Sequence, residues 1–343
     1  MATKAKDIAK ILGISTSTVS LVLNNKGGIS EETRRKVLDT AAKLGFEKRK
    51  SQDQREKTPG IQFVIYKKHG NVVSDTPFFS ELSEGISTQA RNEGYTPHII
   101  YFYSQHNIEE QLESLNSSDS EGIILLATEM DYSDISIFAA INQPIVLLDS
   151  YFDNGAFDCI VINNEQGAYS ATKYLMDMGH TDIGYLHSSV EINNFNERLN
   201  GYFRAVSSRP QTYNSIKNIV KVSSTIDGAY ADMMKYLKSG APVPRAFFAD
   251  NDIIATSCVR ALKDMGYKIP DDISIVGFDN MPISELTRPA LTTIHVPKTR
   301  LGVLAVMRLI DVINGRAAEK IKVSVSTELI TRDSVLRKAD GPA

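Results

Sequence analysis

Residues 6–25 read KDIAKILGISTSTVSLVLNN. Ile8, Ala9 and Leu12 fall at helical spacing, Gly13 stops the run, and Val19, Val22 and Leu23 resume it. Two short helices about a tight glycine turn form the arrangement in which a second helix enters the major groove of DNA. Hydroxyl side chains occupy five of the six positions 15–20: Ser15, Thr16, Ser17, Thr18 and Ser20. Ser and Thr are mediocre helix formers, so their concentration needs another reason. Ser15 suits an N-cap with Thr18 at the third helical position. Thr16, Ser17, Ser20 and Leu21 then share one face, opposite Val19 and Leu23. Hydroxyls on such a face reach phosphate oxygens or base edges and are short enough to let the helix approach closely.

A third helix follows in SEETRRKVLDTAAKLG, residues 30–45. Ser30 is its expected cap, Glu31 and Glu32 suit the positive end of the dipole, and Val37, Leu38, Ala41 and Leu44 form its apolar stripe. Residues 1–57 hold nine Lys and four Arg against seven Asp and Glu, an excess of six in a chain whose net charge is -3. A basic arm on an acidic body points to nucleic acid; a solvated charged helical surface is the plain alternative. The next stretch, EKRKSQDQREKTPG, residues 47–60, has no Val, Ile, Leu, Met or aromatic residue and reads as a linker.

From residue 61 short apolar runs alternate with amphipathic helices. Strands are expected at 61–66, 96–102, 122–127, 144–149, 159–163, 182–187, 218–222, 245–250 and 273–279. Helices are expected at 79–93, 165–178, 197–208, 227–238 and 251–265. Continuous apolar strands alternating with helices mean parallel sheets covered on both faces. The number of units exceeds one doubly wound sheet and implies two similar α/β subdomains. The expected fold class is therefore α/β, an all-α helix-turn-helix headpiece followed by two Rossmann-like subdomains.

The chain has 343 residues, 42% hydrophobic and 23% charged, with two cysteines, Cys159 and Cys258, a hundred positions apart. Two distant thiols suit a reducing cytoplasm and offer no metal cluster. There is no apolar run of about 18 residues for a membrane span and no apolar signal region at the N-terminus. The expected location is cytoplasmic, with no membrane partner, cofactor or metal.

KDIAKILGISTSTVSLVLNNKGGISEETRRKVLDTAAKLGF resembles the headpiece of the lactose-repressor (LacI/GalR) family of bacterial transcription regulators. The resemblance continues through PIVLLDSYF, YLMDMGHTDIGYL, DNDIIATSCVRALKDMGYKIPDDISIVGFDN and RPALTTIHVP, and so covers essentially the whole chain. It implies a DNA-binding domain at 1–46, a hinge at 47–60 and a core at 61–338 of the periplasmic-binding-protein type. An N-subdomain would hold about 61–161 and 293–320, and a C-subdomain about 162–292 and 321–338. Crossovers would fall near 161–163, 290–294 and 320–325. By position, the resemblance assigns base reading to Thr16, Ser17 and Leu21, and phosphate contacts to Ser15, Thr18, Ser20 and Asn24; Thr3 joins the DNA-facing set. Leu21 stands where the family often has Arg or another polar residue, and a leucine can pack on a thymine methyl instead. Family hinges commonly carry a leucine that wedges into the minor groove; residues 47–60 offer none, and their lysines and arginines imply an electrostatic tether.

In a two-lobed α/β protein, ligands sit at the carboxyl ends of strands between the lobes. That points to Asp149, Asn251 and Asp279 after their strands, to the loop residues Phe78 and Phe79, and to Arg198 and Asn194 in the second lobe. Acids, amides and a guanidinium beside an aromatic surface suit a polyhydroxylated effector. The family resemblance also places Asp149, Arg198, Asn251, Asp279, Phe78 and Phe79 around its effector site. The plainer readings are helix or turn caps for the acids and core packing for the phenylalanines. Ile192-Asn193-Asn194 stands where many purine-responsive relatives have a further Arg, and Ser223 where they offer a second-lobe aromatic. A sugar or sugar phosphate is the expected effector.

The chain is thus expected to be a homodimeric repressor that binds a pseudo-palindromic double-stranded operator. The rival readings are a cytoplasmic sugar-binding sensor and an α/β enzyme acting on a small polyhydroxylated substrate. The enzyme reading lacks a G-x-G-x-x-G turn, a phosphate loop, a nucleophile elbow and histidines at metal-ligand spacing. No catalytic residue is expected.

Overall fold

The computed structural model describes residues 5–23, 29–44, 58–73, 77–153, 156–208 and 218–338. Thr3, Asn24 and positions 47–57 of the linker lie outside the described residues. The chain separates into two units, Met1–Thr58 and Pro59–Ala343.

The first unit contains α1 (Ala5–Leu12), α2 (Thr16–Leu23) and α3 (Glu31–Lys43). Ile8, Ala9, Val19, Val22, Val37 and Ala41 are its buried core. Gly13 ends α1 at φ 67°, and the N–H of Ile14 donates back to the carbonyl of Ala9 at 3.1 Å. A Cβ at Gly13 would meet nothing within 4 Å, so glycine is required there by backbone conformation rather than by space. The N–H of Thr18 donates to Ser15 Oγ at 3.0 Å, the expected N-cap. Ser30 likewise caps α3 by accepting from the N–H of Thr33. Two expectations shift. Val22 rather than Leu23 is the fully buried partner of Val19, and Leu38, expected in the stripe of α3, is exposed. The three-helix core is too small to cover both neighbours of each buried position.

The second unit holds two six-stranded sheets. The first contains β1 (Gly60–Lys67), β2 (Thr96–Tyr103), β3 (Ser120–Leu126), β4 (Ile145–Leu148), β5 (Asp158–Ile162) and, from far downstream, β11 (Lys322–Val325). Their order is β11-β5-β4-β3-β1-β2, all parallel. The second contains β6 (Ile183–Ser188), β7 (Ile219–Val222), β8 (Ala246–Ala249), β9 (Ser274–Asp279), β10 (Thr292–His295) and β12 (Glu328–Ile330). Its order is β12-β10-β9-β8-β6-β7, with only β12 antiparallel. Helices α4 (Pro77–Asn92), α5 (Ile108–Asn116), α6 (Tyr132–Ser136) and α12 (Lys298–Ile313) belong with the first sheet. Helices α7 (Asn164–Asp177), α8 (Asn193–Ser207), α9 (Ile226–Lys238), α10 (Asp252–Asp264) and α11 (Pro282–Leu286) belong with the second.

All nine expected strands are present; β10, β11 and β12 are additions. Their short sequences, TTIH, KVSV and ELI, mix polar residues among the apolar ones and form no continuous apolar run. Strand alternation divides β1 cleanly. Ile61, Phe63 and Ile65 enter the cluster under α4 and α12, while Val64 and Tyr66 face the cluster containing Phe102 and Phe138. Helices α4 and α12 touch closely: a Cβ on Gly85 would lie 2.2 Å from the carbonyl oxygen of Thr299. The chain passes between sheets at Asn163, at Val296–Pro297 and at Ser326–Thr327. The first passage falls where the sequence reading put it. The others come a few residues later, because β10 pairs with β9 in the second sheet and β11 with β5 in the first. The segment 321–325 therefore joins the N-subdomain, and 293–295 the C-subdomain.

Candidate effector cleft and DNA-reading helix

In both sheets the strand order reverses beside the first strand of the lobe, between β1 and β3 and between β6 and β8. Loops leaving neighbouring strands on opposite sides of such a switch point open a crevice at their carboxyl ends. A cavity of about 310 Å³ occupies that place, lined from the first lobe by residues that include Gly70, Phe78, Phe79, Thr128 and Asp149. The second lobe contributes, among others, Asn194, Phe195, Arg198, Asn251 and Asp279. All seven effector candidates read from the sequence therefore line one cavity.

The two acids are placed by unusual backbone. Asp149, directly after β4, sits at φ 69°, and Asp279, at the end of β9, at φ 100°. Asp tolerates this region better than most residues, yet the conformation costs energy and tends to occur at functional sites. Neither acid caps a helix. Asp149 is 2% exposed; its Oδ2 accepts from the hydroxyl of Thr128 at 2.6 Å, whereas its Oδ1 is buried with no hydrogen-bond partner. Burial pushes its carboxyl up to about 6, against the lowering effects of Thr128 and Arg198.

Arg198, on the second turn of α8, is 3% exposed. Its Nε donates to Asn164 Oδ1 at 2.9 Å, its Nη1 to the carbonyl of Asp250, and its Nη2 lies 3.4 Å from Asp279 Oδ1. The guanidinium also lies 3.8 Å from the centre of the Phe278 ring. Burial raises the Asp279 carboxyl, with Arg198 and Lys298 opposing. Lys298, at the start of α12, donates from Nζ to the carbonyl of Asp279 at 2.9 Å and lies 3.5 Å from Glu81 on α4. It thereby ties the second lobe's acid loop to two helices of the first.

Asn251 has the plain role as well as a place in the lining: its Oδ1 caps α10 by accepting from the N–H of Ile254 at 2.9 Å. Next to it, Asp252 is fully buried, with Oδ1 accepting from Thr293 and Oδ2 from the N–H of Met281. Burial and the nearby Asp279 push its carboxyl up to about 8. Phe78 and Phe79 pack edge-to-face at 5.0 Å on the first turn of α4; they serve the core and the cavity together.

Three contributors escaped the sequence reading. Glu129 follows β3 and holds the loop that carries Gly70. Its Oε2 accepts from the N–H groups of Lys68, His69 and Gly70, and its Oε1 from those of Val72 and Val73, all at 2.9–3.1 Å. Burial alone would raise this carboxyl; the hydrogen bonds and His69 outweigh it and hold it below the usual range. Phe195, on α8, lines the cavity, so the second lobe does offer an aromatic surface although Ser223 itself does not reach the lining. Thr128 orients Asp149. Buried acids three residues into loops leave no periodic signal, which is why sequence spacing passed over Glu129.

In the first unit, Thr16, Ser17, Ser20 and Leu21 are exposed on α2, and Thr18 is half-buried. Ser15 Oγ lies 2.9 Å from Ser17 Oγ and 2.8 Å from Thr18 Oγ1. These hydroxyls form a local cluster at the start of α2, next to the exposed Leu21.

Residues 4–48 match the family described as bacterial regulatory proteins, lacI family, and residues 172–335 match a periplasmic binding protein-like domain. An HTH-type transcriptional repressor PurR of Pasteurella multocida (strain Pm70) is 31% identical over 336 residues, 96% of this chain and 98% of that protein. The chain belongs to the lacI family of bacterial regulatory proteins. It is accordingly a helix-turn-helix DNA-binding regulator. Among solved structures, a complex of the transcriptional regulator CelR with cellobiose superposes with a TM-score of 0.73 at 22% identity, covering 97% of this chain and 99% of that one. A lac repressor dimer bound to operator and the anti-inducer ONPF gives 0.71 at 24% identity, covering 98% and 100%. These likenesses establish the fold. No described helix is long and apolar enough to cross a membrane.

Proposed function

We propose that this lacI-family chain is a ligand-responsive repressor whose effector is a small polyhydroxylated molecule, a sugar or sugar phosphate, bound between the lobes. The reading rests above all on Asp149: this buried carboxylate, one oxygen of which has no hydrogen-bond partner, stands in the lining of a cavity that also receives Arg198, Asn251 and Asp279. An unmet buried acceptor is costly, and a ligand hydroxyl removes the cost. Phe78, Phe79 and Phe195 put aromatic groups in the lining, the surface that suits the C–H side of a sugar. The relatives are transcriptional repressors rather than enzymes.

Thr16, Ser17 and Leu21 would read bases, with Ser15, Thr18 and Ser20 toward the backbone, and a homodimer would present two such helices to a pseudo-palindromic operator. Edge strand β2 supports dimerisation: Ile99 and Tyr101 are 50% and 44% exposed on it, an apolar face that suits a second copy. A ligand that prefers one lobe arrangement shifts the headpieces' affinity for DNA, and by linkage DNA shifts affinity for the ligand. The test is a thermal-shift screen of a sugar panel, followed by gel shifts on palindromic DNA with and without the best hit. Steep salt dependence is expected, with a ligand-induced change in affinity. Absence of salt-dependent binding would remove the repressor reading in favour of a sensor.

A further inference from the structure

We propose that the effector is an uncharged, hydroxyl-donating molecule, a neutral sugar or glycoside, and that the cleft rejects its phosphate ester. The proposal rests on the reading of the cavity as the effector site and narrows it. Among the described residues, three carboxylates, Asp149, Asp227 and Asp279, stand in the lining against a single cation, Arg198. That guanidinium is already committed. Three of its nitrogens are engaged with Asn164, Asp250 and Asp279, and its face covers Phe278. Behind the wall lies a further buried acid, Asp250, with His187 Nδ1 2.8 Å from its Oδ2. Lys298 is outside the lining, and its ammonium is directed at the carbonyls of Asp279 and Val296.

One feature favours an anion. Helix α8 begins beside the cavity with no side-chain cap at Ile192, and an open helix N-terminus carries roughly half a positive charge. The equivalent end of α10 is already capped by Asn251. Half a charge does not offset the carboxyl groups of Asp149 and Asp279, which share one guanidinium in a site sheltered from water. Hydrogen-bond chemistry leads to the same choice. Asp149 Oδ1 accepts and needs a donor, which a hydroxyl supplies. A phosphate at neutral pH carries about -1.5 to -2 charge and offers acceptors. Much of the remaining lining, including Val72, Ile226, Ile253 and Met281, is apolar and gives an anion nothing.

The experiment titrates full-length protein calorimetrically with a panel of neutral sugars, each beside its own phosphate ester, with inorganic phosphate as a separate probe. For any sugar that binds, the ester is expected to bind at least about tenfold more weakly, and inorganic phosphate to leave Tm unchanged. Asp149→Asn keeps an amide where the acid was and tolerates the same backbone; it is expected to weaken the parent sugar and to narrow the gap between the pair. An ester that binds as tightly as its parent would overturn the charge argument while leaving a polyhydroxylated effector standing. Failure of every pair to bind would instead remove the effector reading, and this proposal with it.

Discussion

The exposed face of α2 and the cleft between the lobes are both built from small polar side chains, yet they hold them in opposite ways. At α2 the hydroxyls are largely wet, drawn from six consecutive positions, and partly satisfied by one another. In the cleft the polar groups come from strand ends as far apart as Asp149 and Asp279, and they are buried, strained in backbone and shifted in pKa. A surface that meets a hydrated polyanion can be specified by local spacing alone. A cavity for a small molecule needs its donors and acceptors dry before the ligand arrives, and only a large fold can hold them so. Substitutions in the cleft should therefore trade stability against binding, whereas those on α2 should alter recognition with little change in stability.

Arg198→Ala is the largest expected break. It removes the donor that Asn164, the carbonyl of Asp250 and Asp279 share, and leaves Asp279 buried beside no guanidinium. Breaking a buried pair by deleting one partner costs about 3–5 kcal/mol. Urea unfolding should show that loss in the transition of residues 59–343, together with loss of effector binding. Arg198→Lys should recover little, since an ammonium cannot reproduce the fork or the stack on Phe278. A cost below about 1 kcal/mol would mean that the cleft, like α2, holds its polar groups loosely.

Asp149 gives a smaller effect with a definite sign. Its carboxyl titrates near 6 in the folded chain and near 3.9 when unfolded. Between those values the folded state holds a proton that the unfolded state has lost, so stability falls as pH rises through the window and stays lower above it. Asp252, raised to about 8, extends the same fall to higher pH. Ligand-free Asp149→Asn should therefore match the parent near pH 4 and exceed it by on the order of 1–3 kcal/mol at pH 7–8. Paired thermal melts from pH 4.5 to 8 measure the difference. A gap that is constant with pH would show that Asp149 is not carrying a buried charge.

How much of this was readable depended on how far each feature reaches along the chain. Ser15, Gly13 and Ser30 act within three to five residues, and their caps and turn stood in the sequence as they stand in the fold. The nine strands β1 to β9 announced themselves by apolar runs, and strand ends then directed attention to Asp149, Asn251 and Asp279. The strands β10, β11 and β12, with polar residues mixed in, did not, and the sheet each joins is settled by pairing rather than by composition, which moved two crossovers. Glu129 and Phe195 were illegible for a similar reason. Nothing local distinguishes a glutamate that accepts five backbone N–H groups from one in solvent, or a phenylalanine facing a cavity from one in a core.

The subtlest test lies back on α2. Leu21 is 36% exposed among hydroxyls, an apolar group on the face proposed to meet DNA. It lies outside the buried core of Ile8, Val19, Val22 and Val37, so replacing it should shift headpiece stability by no more than about 0.5 kcal/mol. Recognition should change more. Leucine can prefer a thymine methyl but has no hydrogen bond to give, whereas arginine at that place can bond guanine O6 and N7 together. Selection of operators by Leu21→Arg should replace thymine with guanine at one position of each half-site, a discrimination of about 1–3 kcal/mol. The other selected positions, whose reading is proposed for Thr16 and Ser17, should remain. A change spread over the whole half-site would mean that the arginine re-docks the helix through phosphates. An unchanged preference would mean that Leu21 does not meet a base at all, and that the hydroxyls alone carry the reading.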